Sequence, residues 1–147
     1  MPDEAPEHRG DVEPQEAWST LSTTGSGALV DVRTTAEWAY VGLPDLSATG
    51  RPLIALEWQS FPSGAVNPDF AVALRTELET RNIGRDQPLF FLCRSGGRSA
   101  RAAAAMTAAG YTSCFNVAGG FEGRPDEEGH RGTVEGWKVA GLPWRQR

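Results

Sequence analysis

The sequence predicts an α/β fold built on a mostly parallel sheet with helices on both faces. Its candidate strands are short, continuous apolar runs such as ALV and LFFL, a pattern typical of strands buried on both faces. Segments with helix signals alternate with these runs, and such alternation is typical of a parallel sheet. The length of 147 residues suits one domain with its own core.

The first half of the chain supplies two strands and three helices. Pro14 is well placed in a first helical turn, where its missing N–H costs nothing, so residues 14–21 are predicted as a helix. β-rich apolar runs predict strands over 28–33 and 53–56, with a short helix over 35–40 and a turn-rich stretch over 42–52 between them. Asn67 is a suitable N-cap and Pro68 a suitable first-turn residue for a helix that reaches about residue 81.

The second half continues the alternation. The run PLFFLC, residues 88–93, predicts a third strand, and the alanine-rich residues 98–109 predict a helix that ends at Gly110. A fourth strand is predicted over 114–117, followed by the turn AGGF and a last short helix over 133–140.

The net charge of −5 is concentrated at the N-terminus. Residues 1–16 hold six acids and one base, whereas the rest of the chain holds 13 acids and 13 bases. We therefore expect residues 1–11 to form a flexible acidic tail, and no basic face for nucleic acid is indicated. No apolar run reaches the ~18 residues of a membrane span, and no secretory signal is recognised. Two cysteines without a C-x-x-C pair favour a cytoplasmic protein with free thiols.

The loop after the third strand has the features of an anion-binding site with a nucleophile. Cys93 falls at the carboxyl end of a strand, where parallel sheets bind ligands. A thiolate is the reactive form of cysteine, and positive potential favours it. Arg94 and Arg98 supply that potential, together with the N-terminus of the following helix. The loop's other residues add flexible backbone N–H groups and hydroxyl donors: Gly96, Gly97, Ser95 and Ser99.

Two chemistries use a cysteine in such a loop, attack on phosphorus and attack on sulfur. Cysteine phosphatases place five residues between the cysteine and an arginine that wraps the phosphate. Here four residues separate Cys93 from Arg98, so a tighter pocket is expected. The spacing disfavours a phosphatase or an arsenate-type reductase and favours sulfur chemistry.

The chain resembles the rhodanese family of sulfurtransferases from about residue 12 to its end. The resemblance is carried, in order, by LVDVRTTAEW (29–38), CRSGGRS (93–99), AAGYTSCFNVAGGF (108–121) and the closing GW…AGLPW (136–144). It is similar to the stand-alone, single-domain members, so residues 12–147 would form one rhodanese domain with a five-stranded sheet. One departure is VGLPDL at 41–46, where many members have G-H-I-P; we expect only local structure to differ.

The resemblance implies transfer of a sulfane sulfur through a persulfide on Cys93. The donor would be thiosulfate or a persulfide, and the acceptor cyanide or a thiol, with neither metal nor organic cofactor. Backbone N–H groups of residues 94–98 would stabilise the persulfide, and Arg94 and Arg98 would attract the donor. Arg98 could instead close the loop without touching substrate. A carrier that passes its persulfide to a partner sulfur-relay protein, with weak turnover of its own, is the second interpretation.

Residues outside the loop have weaker signals. Cys114 is expected in the core, with a resolving role toward Cys93 as the alternative. Asp31 and Arg33 at a strand end are candidates for support of the site; a purely structural arrangement would pair Arg33 with Glu37 and bond Asp31 to backbone. His130 has no recognisable metal-ligand spacing, and the charged segment 124–136 is expected to be exposed.

Overall fold

The computed structural model describes residues 8–60 and 62–146, which build a five-stranded parallel sheet, a two-stranded antiparallel sheet and four helices. The strands are β1 Gly10–Val12, β2 Ala28–Asp31, β3 Leu43–Pro44, β4 Leu53–Ala55, β5 Leu89–Leu92, β6 Cys114–Val117 and β7 Trp144–Arg145. The helices are α1 Pro14–Thr24, α2 Thr35–Tyr40, α3 Phe70–Thr80 and α4 Gly97–Ala108. The main sheet has the order β1-β6-β5-β2-β4, and β3 pairs with β7. This confirms the predicted α/β fold.

Alternate residues of the central strands supply two separate cores. On one face, Val30 and Phe91 pack with residues of α3 and α4. On the other face, Leu29 and Phe90 pack with α1 and with Trp137. Every residue of β2 and β5 is buried, because both faces of these strands are covered. This burial on both faces explains why the two strands are continuous apolar runs in the sequence.

The strand order opens a crevice beside β5. The chain leaves β2 toward β4 on one side and leaves β5 toward β6 on the other. The loops after these neighbouring strands therefore diverge, which is the arrangement that creates ligand sites in open parallel sheets. Cys93 directly follows β5, so the topology places it at this crevice.

One predicted helix is wrong. Residues 133–140 form bends and turns instead of a helix. Gly132 and Gly136 adopt φ of +91° and +104°, which a right-handed helix excludes. The N–H groups of Trp137 and Lys138 donate to the carbonyls of Gly120 and Phe121 at 2.8 and 3.2 Å, so the middle of this segment is bonded to the AGGF turn. A helix-like bond is made by the N–H of Ala140, to the carbonyl of Gly136.

The N-terminal boundary of the sheet lies within the stretch predicted to be a tail. Residues 1–7 are outside the described residues, whereas Gly10 and Asp11 belong to β1 and pair with Phe115 and Asn116 of β6. The sequence GDV of β1 is not an apolar run and shows no strand pattern, and β3 and β7 are only two residues long each. None of the helices in the described ranges combines the length and hydropathy that crossing a membrane requires.

Candidate functional site

Cys93 lies at the base of the loop, with its sulfur within hydrogen-bond distance of one backbone N–H and one hydroxyl group. The backbone N–H of Gly96 donates to Sγ at 3.1 Å, and the hydroxyl oxygen of Ser99 lies 3.2 Å from the same atom. Cys93 is only 1% exposed. The sulfur is therefore buried and held by groups of its own loop, as a positioned nucleophile is, rather than exposed as a surface thiol.

The loop leads directly into α4. Gly96 is the N-cap with φ of +124°, and Gly97 is the first helical residue. The positive φ of Gly96 directs the chain from this N–H into α4, a backbone conformation that a residue with a side chain rarely adopts. Because α4 is 12 residues long, its unpaired N–H groups and positive dipole end favour an anion at this position.

The AGGF turn after β6 and the two residues that follow it are hydrogen-bonded to the first two residues of the Cys93 loop. The N–H of Phe121 donates to the carbonyl of Cys93 at 2.8 Å, and the N–H groups of Glu122 and Gly123 donate to the carbonyl of Arg94 at 3.0 Å each. Gly120 sits so close that a Cβ there would lie 2.5 Å from the Cys93 carbonyl oxygen. The AGGF turn is thus part of the loop's framework.

A cleft of about 530 Å³ opens in front of the loop. Both diverging loops line it: Thr34 and Glu37 follow β2, and Arg94 and Arg98 follow β5. This size is that of a small-molecule site.

Arg98 is turned toward Glu37. Its two terminal nitrogens donate to the two carboxylate oxygens of Glu37 at 2.8 and 3.0 Å, and both side chains are about four-fifths buried. Burial alone would raise the pKa of Glu37, but the hydrogen bonds from Arg98 and from the Thr34 backbone outweigh it and hold that pKa below its ordinary value. Arg98 therefore ties the loop to α2 with its charge neutralised.

Arg94 provides a second guanidinium on the cleft, on an exposed loop residue. Among the described residues, no carboxylate lies within ion-pair distance of its side chain. Ser95 is exposed at the tip of the loop, and the described contacts include no hydrogen bond from its side chain to Sγ.

The charged segment 124–136, to which no motif assigned a role, contributes Arg131 to the same cleft. Its guanidinium donates to the carbonyl of Gly123 at 2.6 Å, which fixes it beside the AGGF turn. Glu122 also lines the cleft. Neither residue had a sequence signal, because their placement depends on turns held by distant backbone.

Asp31 and Arg33 lie behind the site rather than in it. Both are fully buried and form a two-point ion pair, and the guanidinium of Arg33 also donates to the Gly42 carbonyl at 2.7 Å. The expected pairing of Arg33 with Glu37 is wrong, since Glu37 binds Arg98; the expected bond from Asp31 to backbone is present, with the Arg33 N–H as donor at 3.1 Å. Arg33 lies 4.3 Å over the ring of Phe121, the residue whose N–H holds the Cys93 carbonyl.

Cys114 is a core residue. It is fully buried, and burial raises its pKa to about 11. Cys114 pairs with Leu89, four residues before Cys93, so the two cysteines are separated by about 13 Å along the strands. A disulfide needs Cα atoms within about 7 Å, so the geometry excludes direct resolution of Cys93 by Cys114 in this fold.

Asp126, Glu128 and His130 each place one potential metal-ligand atom within 4.8 Å of the others, a grouping that the sequence spacing did not reveal. The Asp126 carboxylate already accepts from the backbone N–H groups of Glu128 and His130 and from the Thr133 hydroxyl. These contacts are those of a side chain that organises an exposed turn.

Comparison with known proteins decides the family. The model of the Rhodanese-like domain matches residues 13–124, which include the loop, both central strands and the AGGF turn. The chain belongs to the rhodanese-like family. This confirms the resemblance carried by CRSGGRS and the flanking motifs.

Relatives and solved structures agree with this membership. An uncharacterised protein of Rickettsia conorii is 38% identical over 129 residues, which cover 88% of this chain and 91% of that protein. The crystal structure of Rv0390 from M. tuberculosis is 48% identical, with a TM-score of 0.84, and covers 95% of this chain and 99% of that one. A polysulfide-sulfur transferase homodimer from Wolinella succinogenes is 20% identical, with a TM-score of 0.58, covering 93% and 78% of the respective chains, and shares the fold.

Two residues that take part in the hydrogen bonds around Cys93 were not predicted from the sequence. Asn116 of β6 lies 2.5 Å from the Ser99 hydroxyl, and Asp11 of β1 accepts from the Asn116 side chain at 3.2 Å. Asn116 stands in a motif quoted for family resemblance, but nothing local distinguishes it from a strand residue. Asp11 falls in the stretch predicted to be a tail.

Proposed function

We propose that this protein is a sulfurtransferase that carries a sulfane sulfur as a persulfide on Cys93. The observation that carries the proposal is the sulfur of Cys93 held at 3.1 Å by the Gly96 N–H, at the N-terminus of α4 and beside an arginine-lined cleft. Such a site favours a thiolate nucleophile and an anionic product at the same position.

The transfer is a balanced two-step exchange. The Cys93 thiolate attacks the outer sulfur of thiosulfate, the sulfur–sulfur bond of the donor breaks, and sulfite leaves with the electron pair. The terminal sulfur of the persulfide is then attacked by a thiophilic acceptor, cyanide or a thiol, and Cys93 returns as a thiolate. No external oxidant is consumed, because each nucleophile that bonds to the sulfur atom displaces the previous one, which leaves with its electron pair.

The cleft residues divide the remaining tasks. Arg94 and Arg131 provide positive charge where an anionic donor approaches, and the paired Arg98 holds the loop's shape. Membership of the rhodanese-like family supports the reaction class. The donor could be thiosulfate or a persulfide, and a partner sulfur-relay protein could take the acceptor's place. A reducing compartment such as the cytoplasm would keep both cysteines as thiols.

Phosphoryl transfer is disfavoured by one specific contact. A phosphatase loop uses its arginine to bind the phosphate oxygens, whereas both terminal nitrogens of Arg98 are engaged by Glu37. Four residues, rather than five, separate Cys93 from Arg98. We expect no turnover of a chromogenic phosphate ester.

The deciding experiment is intact mass after brief incubation with thiosulfate. The wild type should gain one sulfur atom, cyanide should remove it, and Cys93→Ser should gain nothing. Cys114→Ser is the matched control and should gain the sulfur as the wild type does, because Cys114 is buried with a raised pKa.

The same assay tests which donor the protein uses separately from whether a persulfide forms on Cys93. A Cys93 adduct from a low-molecular-weight persulfide but none from thiosulfate would favour the carrier interpretation, with weak turnover of thiosulfate. No adduct from either donor, with a folded protein, would refute the persulfide mechanism.

A further inference from the structure

A line of polar side chains connects the surface of the protein to Cys93. Asp11 accepts from the side-chain amide of Asn116 at 3.2 Å, and the carbonyl oxygen of that amide lies 2.5 Å from the Ser99 hydroxyl. The Ser99 oxygen in turn lies 3.2 Å from the Cys93 sulfur. Ser99 is fully buried and Asn116 is 5% exposed, so water does not compete for the contacts of Ser99 with Asn116 and Cys93, whereas the Asp11 end of the line is open to solvent.

Asp11 fixes which end of the Asn116 amide faces the site. A carboxylate only accepts hydrogen bonds, so the NH₂ group of Asn116 must face Asp11. The amide oxygen is thereby directed at Ser99. Reversal of the amide would place its oxygen against the Asp11 carboxylate, which is unfavourable.

Ser99 has one proton and three acceptors within reach. These are the Asn116 amide oxygen at 2.5 Å, the Gly96 carbonyl at 3.2 Å and the Cys93 sulfur at 3.2 Å. Two oxygens 2.5 Å apart need a proton between them, and only the Ser99 hydroxyl can supply it. The Ser99 lone pairs are then left to face sulfur, where they suit a thiol S–H better than a thiolate.

We propose that Asn116, oriented by Asp11, is a positioning residue that draws the Ser99 proton away from Cys93 and so sets the reactivity of the cysteine. The thiolate keeps the Gly96 N–H as a donor and competes with Asn116 for the second one. A thiolate with fewer hydrogen bonds is a stronger nucleophile, because nucleophilicity rises with basicity.

The other charged groups around Cys93 remain constant in the primary test. They are Arg94 and Arg98 on the loop, Glu37 from α2, the Asp31–Arg33 pair on and after β2, and Glu122 and Arg131 on the cleft; His8 contacts Asp11 at 2.9 Å. Asn116→Ala changes none of these charges. Its effect on Cys93 therefore reports the hydrogen bond rather than the electrostatic field.

The test is the pH–rate profile for alkylation of Cys93 by iodoacetamide, with the site confirmed by mass spectrometry. In Asn116→Ala the Ser99 proton is free for the thiolate, so the thiolate fraction at low pH should rise about thirtyfold, the effect of one hydrogen bond to a charged group. The acid-limb rate also includes the lower nucleophilicity of this thiolate, so it should rise about tenfold. The alkaline plateau should fall about threefold, because the better-bonded thiolate is less nucleophilic. A purely structural role for Asn116 would not move the two limbs in opposite directions.

A Ser99→Ala background shows whether Asn116 acts through Ser99. There, Asn116→Ala should change the acid-limb rate by no more than about twofold, the tolerance for independent sites. An unchanged profile in Asn116→Ala, or the same shift in both backgrounds, would overturn the proposal.

Asp11→Asn gives a second route that leaves the buried strand intact, since the Asp11 side chain is 58% exposed. It lets the Asn116 amide reverse, and the acid limb should rise by less than in Asn116→Ala. A charge effect alone would persist with Ser99→Ala, whereas the proposed effect would vanish, and persistence would overturn it. His8→Gln, which keeps the Asp11–Asn116 bond, is the matched control and should stay within about twofold of the wild type.

The inference rests on the proposed function only in taking Cys93 as the reacting group. Alkylation needs no sulfur donor, so it measures the hydrogen-bond arrangement even if no persulfide forms. Failure of the mass assay with the predicted alkylation profiles would refute the sulfur chemistry and keep the positioning role. A sulfur adduct on Cys93 without the predicted alkylation profiles would support the sulfur chemistry and refute the positioning role.

Discussion

Replacing Glu37 by glutamine should weaken the link between α2 and the Cys93 loop without changing the size of the side chain. Glutamine keeps an oxygen that can accept from the Thr34 N–H and from one nitrogen of Arg98. Its NH₂ group would then face the other nitrogen of Arg98, 3.0 Å away, so one attractive contact becomes donor against donor.

The expected loss lies between the values for surface and buried ion pairs. Exposed pairs contribute about 0–1 kcal/mol, and breaking a buried pair costs about 3–5 kcal/mol. The Glu37 and Arg98 side chains are 20% and 19% exposed, and one hydrogen bond survives in the variant. We expect Glu37→Gln to lower the free energy of unfolding by about 1–2 kcal/mol at neutral pH.

The loss should depend on pH in one direction. The folded-state pKa of Glu37 lies below the ordinary value of 4.5, since the bonds from Arg98 and Thr34 outweigh burial. The carboxylate therefore contributes stability that is fully present above about pH 4.5 and is lost as the pH falls through the lower folded value. Urea unfolding of both proteins at pH 7 and pH 3 should show a difference at pH 7 that shrinks at pH 3.

Glu77→Gln is the matched control for this measurement. Glu77 pairs with Arg81 at 3.0 Å on α3, but both side chains are more than two-fifths exposed. It should lose no more than about 0.5 kcal/mol. A Glu37→Gln loss equal to that of Glu77→Gln, or one that is unchanged at pH 3, would refute the assignment of Arg98 as a residue that holds the loop.

Three further changes test other parts of the site. Gly120→Ala should lose more than about 2 kcal/mol of stability in urea unfolding, together with sulfur transfer, because its Cβ would meet the backbone of Cys93 and Arg94. Gly129 has a similar φ and open space around it, so Gly129→Ala should lose only about 1 kcal/mol and keep sulfur transfer. Arg94→Gln should raise the KM for thiosulfate severalfold and reduce its dependence on salt, and an unchanged salt dependence in steady-state assays would count against Arg94 as a donor-binding residue. Cys114→Ser should keep most of the transfer activity, and loss as severe as in Cys93→Ser would contradict its placement in the core.

The fold and the loop could be predicted because their determinants are local. The buried runs of β2 and β5 are continuous in sequence, and the glycines and arginines of CRSGGRS lie within seven residues. Hydrogen bonds between neighbours along the chain place the Gly96 N–H on the Cys93 sulfur. Such features follow from residue type and spacing alone.

The partners of the loop could not be predicted because they come from distant positions. Glu37 and Arg98 are 61 positions apart, and Asp11 and Asn116 are 105 apart. Helical spacing offered Arg33 as the partner of Glu37, but Arg33 is buried with Asp31 instead. Where two partners satisfy a charge equally well on local grounds, only the packing of the sheet decides between them.

The same distinction explains how a loop of common residues becomes a specific site. On its own, CRSGGRS supplies a sulfur and donors but leaves the direction of its carbonyls and hydroxyls open. The turn after β6 binds the carbonyls of Cys93 and Arg94, Glu37 holds Arg98, and Asn116 takes the proton of Ser99. These contacts come from α2, from β6 and from the turn after β6, at the end of the sheet where the loops after β2 and β5 diverge. The reactivity of Cys93 therefore depends on the whole fold. Variants far from the loop in sequence should therefore alter the chemistry of Cys93 without touching its sulfur.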